Sequence, residues 1–183
     1  AAVSRWFLGT VPPPSAKPAA ALKIQTKALV TADYSRVAGA SPLPEAQAEV
    51  AQLSADLAPW VTAVEPRLRA VLDLLGGEPP ADLLHFALHG RFESEGQDGG
   101  LLLLGEGVAT GRTQLLQDNH VRGARLDRAP FVFLNACQLA ASDSRALGDY
   151  AGLATSFLYA GAGAVVAPLW NVLDDTARAM AVD

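Results

Sequence analysis

The sequence predicts an α/β domain with a mainly parallel central sheet covered by helices on both faces. Short apolar runs alternate with segments whose apolar residues recur at helical spacing. The runs are continuously apolar instead of alternating with polar residues, which is how strands buried on both faces read. Two of the runs end in residues capable of chemistry, and in such sheets sites form at the carboxyl ends of the strands.

Residues 1–27 read as an N-terminal arm and Pro-rich linker, with Trp6-Phe7-Leu8 followed by Pro12-Pro13-Pro14-Ser15-Ala16-Lys17-Pro18. Residues 28–183 read as the domain. Lys27 to Ala32 gives the first strand and Asp33 to Pro42 a loop. Leu43 to Leu57 carries Ala46, Val50, Leu53 and Leu57 at helical spacing. Trp60 to Val64 is a short strand, and Pro66 starts a helix ending near Leu75, before Gly76-Gly77. Leu83 to Leu88 is the next strand, followed by a polar loop from Arg91 to Gly99 and a short strand from Leu101 to Leu104. Thr113 is expected to cap a short helix through Gln117. Phe131 to Leu134 is a strand, Tyr150 to Tyr159 a helix, and Ala164 to Pro168 a further buried strand. Asp174-Asp175 opens the last helix, where acidic residues favour the positive end of the dipole. The chain begins without Met and stops at Asp183 within that helix, so it reads as a piece of a longer protein, its domain truncated at the C-terminus.

Composition excludes several function classes. Half of the 183 residues are hydrophobic, which argues for a packed core and against disorder. The longest apolar run, Ala160 to Trp170, is about eleven residues and glycine-broken, too short for a membrane span. A net charge of −5 with scattered Lys and Arg argues against nucleic acid as a partner. A single cysteine precludes an internal disulfide, which suits the cytoplasm. The glycines of Ala160-Gly161-Ala162-Gly163 follow a helix and precede a strand, the reverse of a dinucleotide fingerprint, so they read as a helix cap.

That cysteine, Cys137, ends the apolar run Phe131-Val132-Phe133-Leu134-Asn135-Ala136. His89, followed by Gly90, ends the run from Leu83 to Leu88. A cysteine attacks as thiolate, and a nearby imidazole both favours the anion and can protonate a leaving amine. Cys137 is therefore the candidate nucleophile, His89 the candidate acid/base, and the Gly90 N–H candidate oxyanion support. Taken singly, Cys137 reads as a small buried hydrophobe and His89 as a polar strand end. Taken together at two strand ends, they read as a site. His85 lies roughly 13 Å back along its strand, so it reads as a hydrogen-bonded core histidine. His120 reads as a solvated loop residue. No metal site and no cofactor are expected.

With these residues in hand, the chain resembles the CHAT domains, caspase-like proteases related to separase and the caspases. The likeness rests on His85-Phe86-Ala87-Leu88-His89-Gly90, Leu134-Asn135-Ala136-Cys137-Gln138, Gly148-Asp149-Tyr150-Ala151-Gly152-Leu153-Ala154, the stretch Phe157 to Val166, and Leu169-Trp170-Asn171-Val172-Leu173-Asp174-Asp175. Upstream, Leu43 to Val50 is similar to the first helix. The spacing of His89 and Cys137 is close to the roughly 50 residues of caspases. The resemblance implies a caspase-like three-layer sandwich and a Cys/His dyad with no obligatory carboxylate. It also implies cleavage of a protein or peptide substrate in a prokaryotic regulatory or defence setting, often under the control of attached helical repeats. A catalytically silent interaction module on the same fold is the alternative. The family domain usually continues past the last helix present here and carries an earlier Pro-containing strand motif, absent before Ala28.

Trp170, Asn171 and Asp174 are expected to line the pocket for the residue before the scissile bond, where a carboxylate would favour Arg or Lys. The competing reading makes Trp170 core and the two aspartates helix caps, and it is preferred for Asp175. Glu93, Glu95 and Asp98, in the loop after His89, read as solvated.

Overall fold

The computed structural model describes residues 23–91, 99–105, 111–136, 152–168 and 173–182. In chain order the elements are β1 (Lys27–Thr31), α1 (Pro44–Asp56), β2 (Val61–Val64), α2 (Leu68–Leu75), β3 (Leu83–Ala87), β4 (Gly90–Arg91), β5 (Gly100–Leu104), β6 (Thr113–Leu116), α3 (Asp118–Arg122), β7 (Phe131–Asn135), α4 (Leu153–Ala160), β8 (Ala164–Val166) and α5 (Asp174–Val182).

Five strands form one sheet in the order β2-β1-β3-β7-β8, every pair parallel. The apolar residues divide by parity, as the two-residue period of a strand requires. Ala28, Val30, Leu84, Phe86, Val132 and Leu134 join the core that contains Val71, Leu74 and Leu75 of α2 and Phe157 of α4. Leu29 and Ala87 belong to a second core with Ala46, Val50 and Leu53 of α1, against which Val182 of α5 packs. Helices thus cover both faces, and the fold has three layers.

From β1 the chain moves to β2 through α1. It then returns through α2 on the opposite face and passes β1 to reach β3. The order reverses between β1 and β3, and the crevice beyond their carboxyl ends is where ligands bind in such sheets.

A smaller antiparallel sheet, β4-β5-β6, adds Leu101, Leu103 and Leu116 to the α2-side core. Here the sequence expectation needs correction, because Thr113 starts a strand and caps no helix. Thr113 to Leu116 pairs residue for residue with Leu104 to Leu101, and the ladder buries Leu116 fully. The helix starts later, at Asp118, and His120 lies on it with Nδ1 accepting the Gln117 N–H at 3.1 Å, not in a loop. Of the stretch Ala164 to Pro168, expected to be a buried strand, only Ala164–Val166 is strand, and this β8 is partly exposed rather than buried. Gly161 ends α4 in the left-handed conformation, φ 107°, as the cap reading expects.

α5 buries none of its residues fully. It is held on α1 by polar contacts: Arg178 donates to Glu45 at 2.7 Å and to Gln52 at 3.2 Å. No helix among the described residues is long and apolar enough to cross a membrane.

Candidate active site

His89 stands two residues past the end of β3, at the switch point between β1 and β3. Four contacts hold it. Its Nε2 lies 2.7 Å from the Ser41 carbonyl oxygen. A carbonyl only accepts, so Nε2 carries the proton and donates, which leaves Nδ1 as the basic nitrogen of the neutral ring. The ring packs against Tyr34, centroids 4.6 Å apart. The main-chain carbonyl of His89 accepts from the Leu102 N–H at 2.9 Å, and its own N–H donates to the Tyr34 hydroxyl at 3.3 Å.

The Tyr34 hydroxyl donates in turn to the Leu102 carbonyl at 2.5 Å. His89 and Leu102 continue the register of β4 and β5, in which Gly90 faces Leu101 and Arg91 faces Gly100. They would exchange two main-chain bonds in an unbroken ladder. One of those bonds is present, and the phenol hydroxyl is inserted in place of the other. Tyr34 is 1% exposed, and burial pushes its phenol well above the ordinary range, opposed by the hydrogen bond from the His89 N–H.

This alternation makes Gly90 and Leu101 a non-hydrogen-bonded pair, so the Gly90 N–H is directed away from β5.

His85 is a core residue, as its position in the strand predicts. It is 3% exposed, stacked on Phe133 at 5.1 Å, with Nε2 2.6 Å from Glu49 Oε1. Glu49 is wholly buried, and its second oxygen accepts from Asn135 Nδ2 at 2.7 Å. Asp174 turns its carboxylate toward the start of α1, where Oδ2 accepts the Glu45 N–H at 3.1 Å. Asp175 accepts the N–H of Thr176 within its own helix at 2.6 Å. Cys137, Trp170, Asn171, Glu93, Glu95 and Asp98 lie outside the described residues.

Four residues that shape the region were not singled out in the sequence. Ser41 acts through a backbone carbonyl, which no side chain advertises. Tyr34 stood in the loop after the first strand, at the edge where sites form. Glu49 had a visible signal, a charge adjoining the apolar stripe of Ala46, Val50 and Leu53. Asn135 had one as well, a polar residue closing an apolar run.

Every pair in the β3–β7 ladder, from Leu83 with Phe131 to Ala87 with Asn135, is 48 residues apart. The same 48 residues separate His89 from Cys137. The family model for the CHAT domain matches residues 7–183, beginning within the segment read from sequence as an arm. No match was found among curated proteins. With nearly its whole length matched and a parallel sheet between two helical layers, the chain belongs to the CHAT domain family, whose fold is caspase-like.

Proposed function

We propose that this domain is a cysteine endopeptidase that hydrolyses peptide bonds in a protein substrate through Cys137 and His89. The observation that carries the reading is the shared offset. His89 and Cys137 each follow by two residues the last matched pair of the adjacent parallel strands β3 and β7, Ala87 and Asn135, at the carboxyl edge of the sheet and next to the β1–β3 switch point. The hydrogen bond to Ser41 supports it further, since it fixes the tautomer with Nδ1 basic.

In this mechanism His89 Nδ1 takes the thiol proton, and the Cys137 sulfur attacks the scissile carbonyl. The C–N bond breaks as the imidazolium gives that proton to the leaving amine. Water, deprotonated by the same ring, then cleaves the thioester and restores the thiol. The Gly90 N–H supports the oxyanion of each tetrahedral intermediate. Trp170 and Asn171 line the subsite before the scissile bond. Asp174 borders it while also bonding the α1 N-terminus. No cofactor takes part. An attached helical-repeat region or partner protein would regulate access to the site, in a prokaryotic and cytoplasmic setting.

Profiling cleavage with a peptide library tests the proposal. Cys137→Ala and His89→Ala are each expected to lower kcat/KM by about 10⁴-fold with the fold intact. Undiminished cleavage by Cys137→Ala overturns it. Absence of cleavage by the parent, together with no labelling of Cys137 by a peptidyl electrophile at neutral pH, would mark a silent interaction module instead.

A further inference from the structure

The dyad mechanism leaves one buried polar cluster unused, the group of Glu49, His85 and Asn135. Glu49 on α1 is 0% exposed and divides its two oxygens between adjacent strands. Oε1 takes His85 Nε2 of β3 at 2.6 Å, and Oε2 takes Asn135 Nδ2 of β7 at 2.7 Å. The same Asn135 amide gives its other hydrogen to the Ala177 carbonyl of α5 at 3.1 Å. One carboxylate and one amide thus tie together α1, β3, β7 and α5.

Stability alone does not account for a carboxylate at that place. Removing it from water costs several kcal/mol, and apolar side chains of similar volume commonly fill such sites with equal or greater stability. What the cluster adds is a fixed geometry at the end of β7. There the main-chain ladder weakens, because the bond from the Leu88 N–H to the Asn135 carbonyl has lengthened to 3.4 Å. Asn135 is the last residue of β7, and Cys137 follows it by two.

We propose that Glu49 and Asn135 are positioning residues, a carboxylate–amide clamp that sets where the chain leaves the sheet toward Cys137, with His85 orienting the carboxylate. The proposal rests on the reading of Cys137 as the nucleophile. A nucleophile displaced by about 1 Å can lose about 10²-fold in rate without loss of substrate binding.

The test uses three variants and two readouts. Asn135→Ala removes the amide, Asn135→Asp sets a carboxylate against that of Glu49, and Glu49→Gln keeps the volume but only one acceptor. All three are expected to lower kcat by about 10- to 100-fold with KM within about twofold, in samples that circular dichroism shows to be folded. The second readout is the rate and pH profile of iodoacetamide alkylation. Because the chain has a single cysteine, this reports Cys137 alone. A changed alkylation profile is expected in each folded variant. The proposal is overturned if folded variants keep the parental kcat and alkylation profile, or if kcat falls only in proportion to the folded fraction. Failure of the protease reading has a different signature, cleavage that survives Cys137→Ala, and alkylation still decides the clamp in that case.

Discussion

Replacing Tyr34 with Phe removes one oxygen atom and keeps the ring against His89. That oxygen serves two main-chain groups, accepting from the His89 N–H and donating to the Leu102 carbonyl. Leu102 is buried, at 8% exposure, and His89 is half-buried. A buried polar group left unpaired costs about 1–3 kcal/mol, and two of them at partial burial give a loss of about 3 kcal/mol. For a domain of this size each kcal/mol moves Tm by about 2–4 °C, so the variant should melt about 6–12 °C below the parent at neutral pH. The pH dependence gives an independent check. Burial raises the Tyr34 phenol above its ordinary 10.0, so the folded state resists ionisation. The stability carried by the neutral phenol is complete below about pH 10 and is lost as pH rises through the folded value. The parent pays this alkaline penalty and the variant does not. The Tm gap should therefore narrow above pH 10 in thermal melts followed by circular dichroism. Equal melting at neutral pH, or a gap that stays constant above pH 10, would refute the inserted-hydroxyl argument.

At the opposite end of the sheet, Asp82 accepts from the Gln25 and Thr26 N–H groups, the Thr26 hydroxyl and the Arg128 guanidinium. The Thr26 N–H first, and the guanidinium with it, hold this carboxyl well below the usual range. Its contribution is present above about pH 4 and lost as pH falls through the folded value. Asp82→Asn should cost about 2 kcal/mol at pH 7 in urea titrations, with a gap that begins to close below about pH 4 and narrows progressively as pH falls toward the folded value, and it should leave kcat unchanged. Gly100 adopts φ 149°, and a Cβ there would run into the Leu116 carbonyl oxygen within the β5–β6 ladder. Gly100→Ala should cost about 3 kcal/mol or more, seen as an early loss of amide protection in β5 and β6 by hydrogen exchange.

The parallel sheet was legible because strands buried on both faces leave continuous apolar runs that little else produces at that length. His85 was placed correctly by strand geometry alone, since four extended residues remove it from His89. What stayed hidden is what local pattern does not encode. Thr113 looks like the cap of a short helix through Gln117 until the leucines of β5 offer that segment a ladder, and tertiary pairing then overrides the local preference. The two residues of β4 form a strand only because β5 lies beside them. The Ser41 carbonyl and the hydroxyl inserted by Tyr34 depend on contacts between segments 48 and 55 residues apart, on which no short window reports.

The 48-residue offset of β3 and β7 separates two quantities that coincide in the sequence. Chain length between His89 and Cys137 is free to drift, because residues gained or lost in the connections around β5 and β6 leave the pairing of β3 with β7 untouched. Register has no such freedom. A single residue inserted within β7 would carry Asn135 to the other face of the sheet, away from Glu49, and put every later residue one step out of phase. Relatives of this domain should therefore be sought by strand phase and not by the count of residues between the two groups.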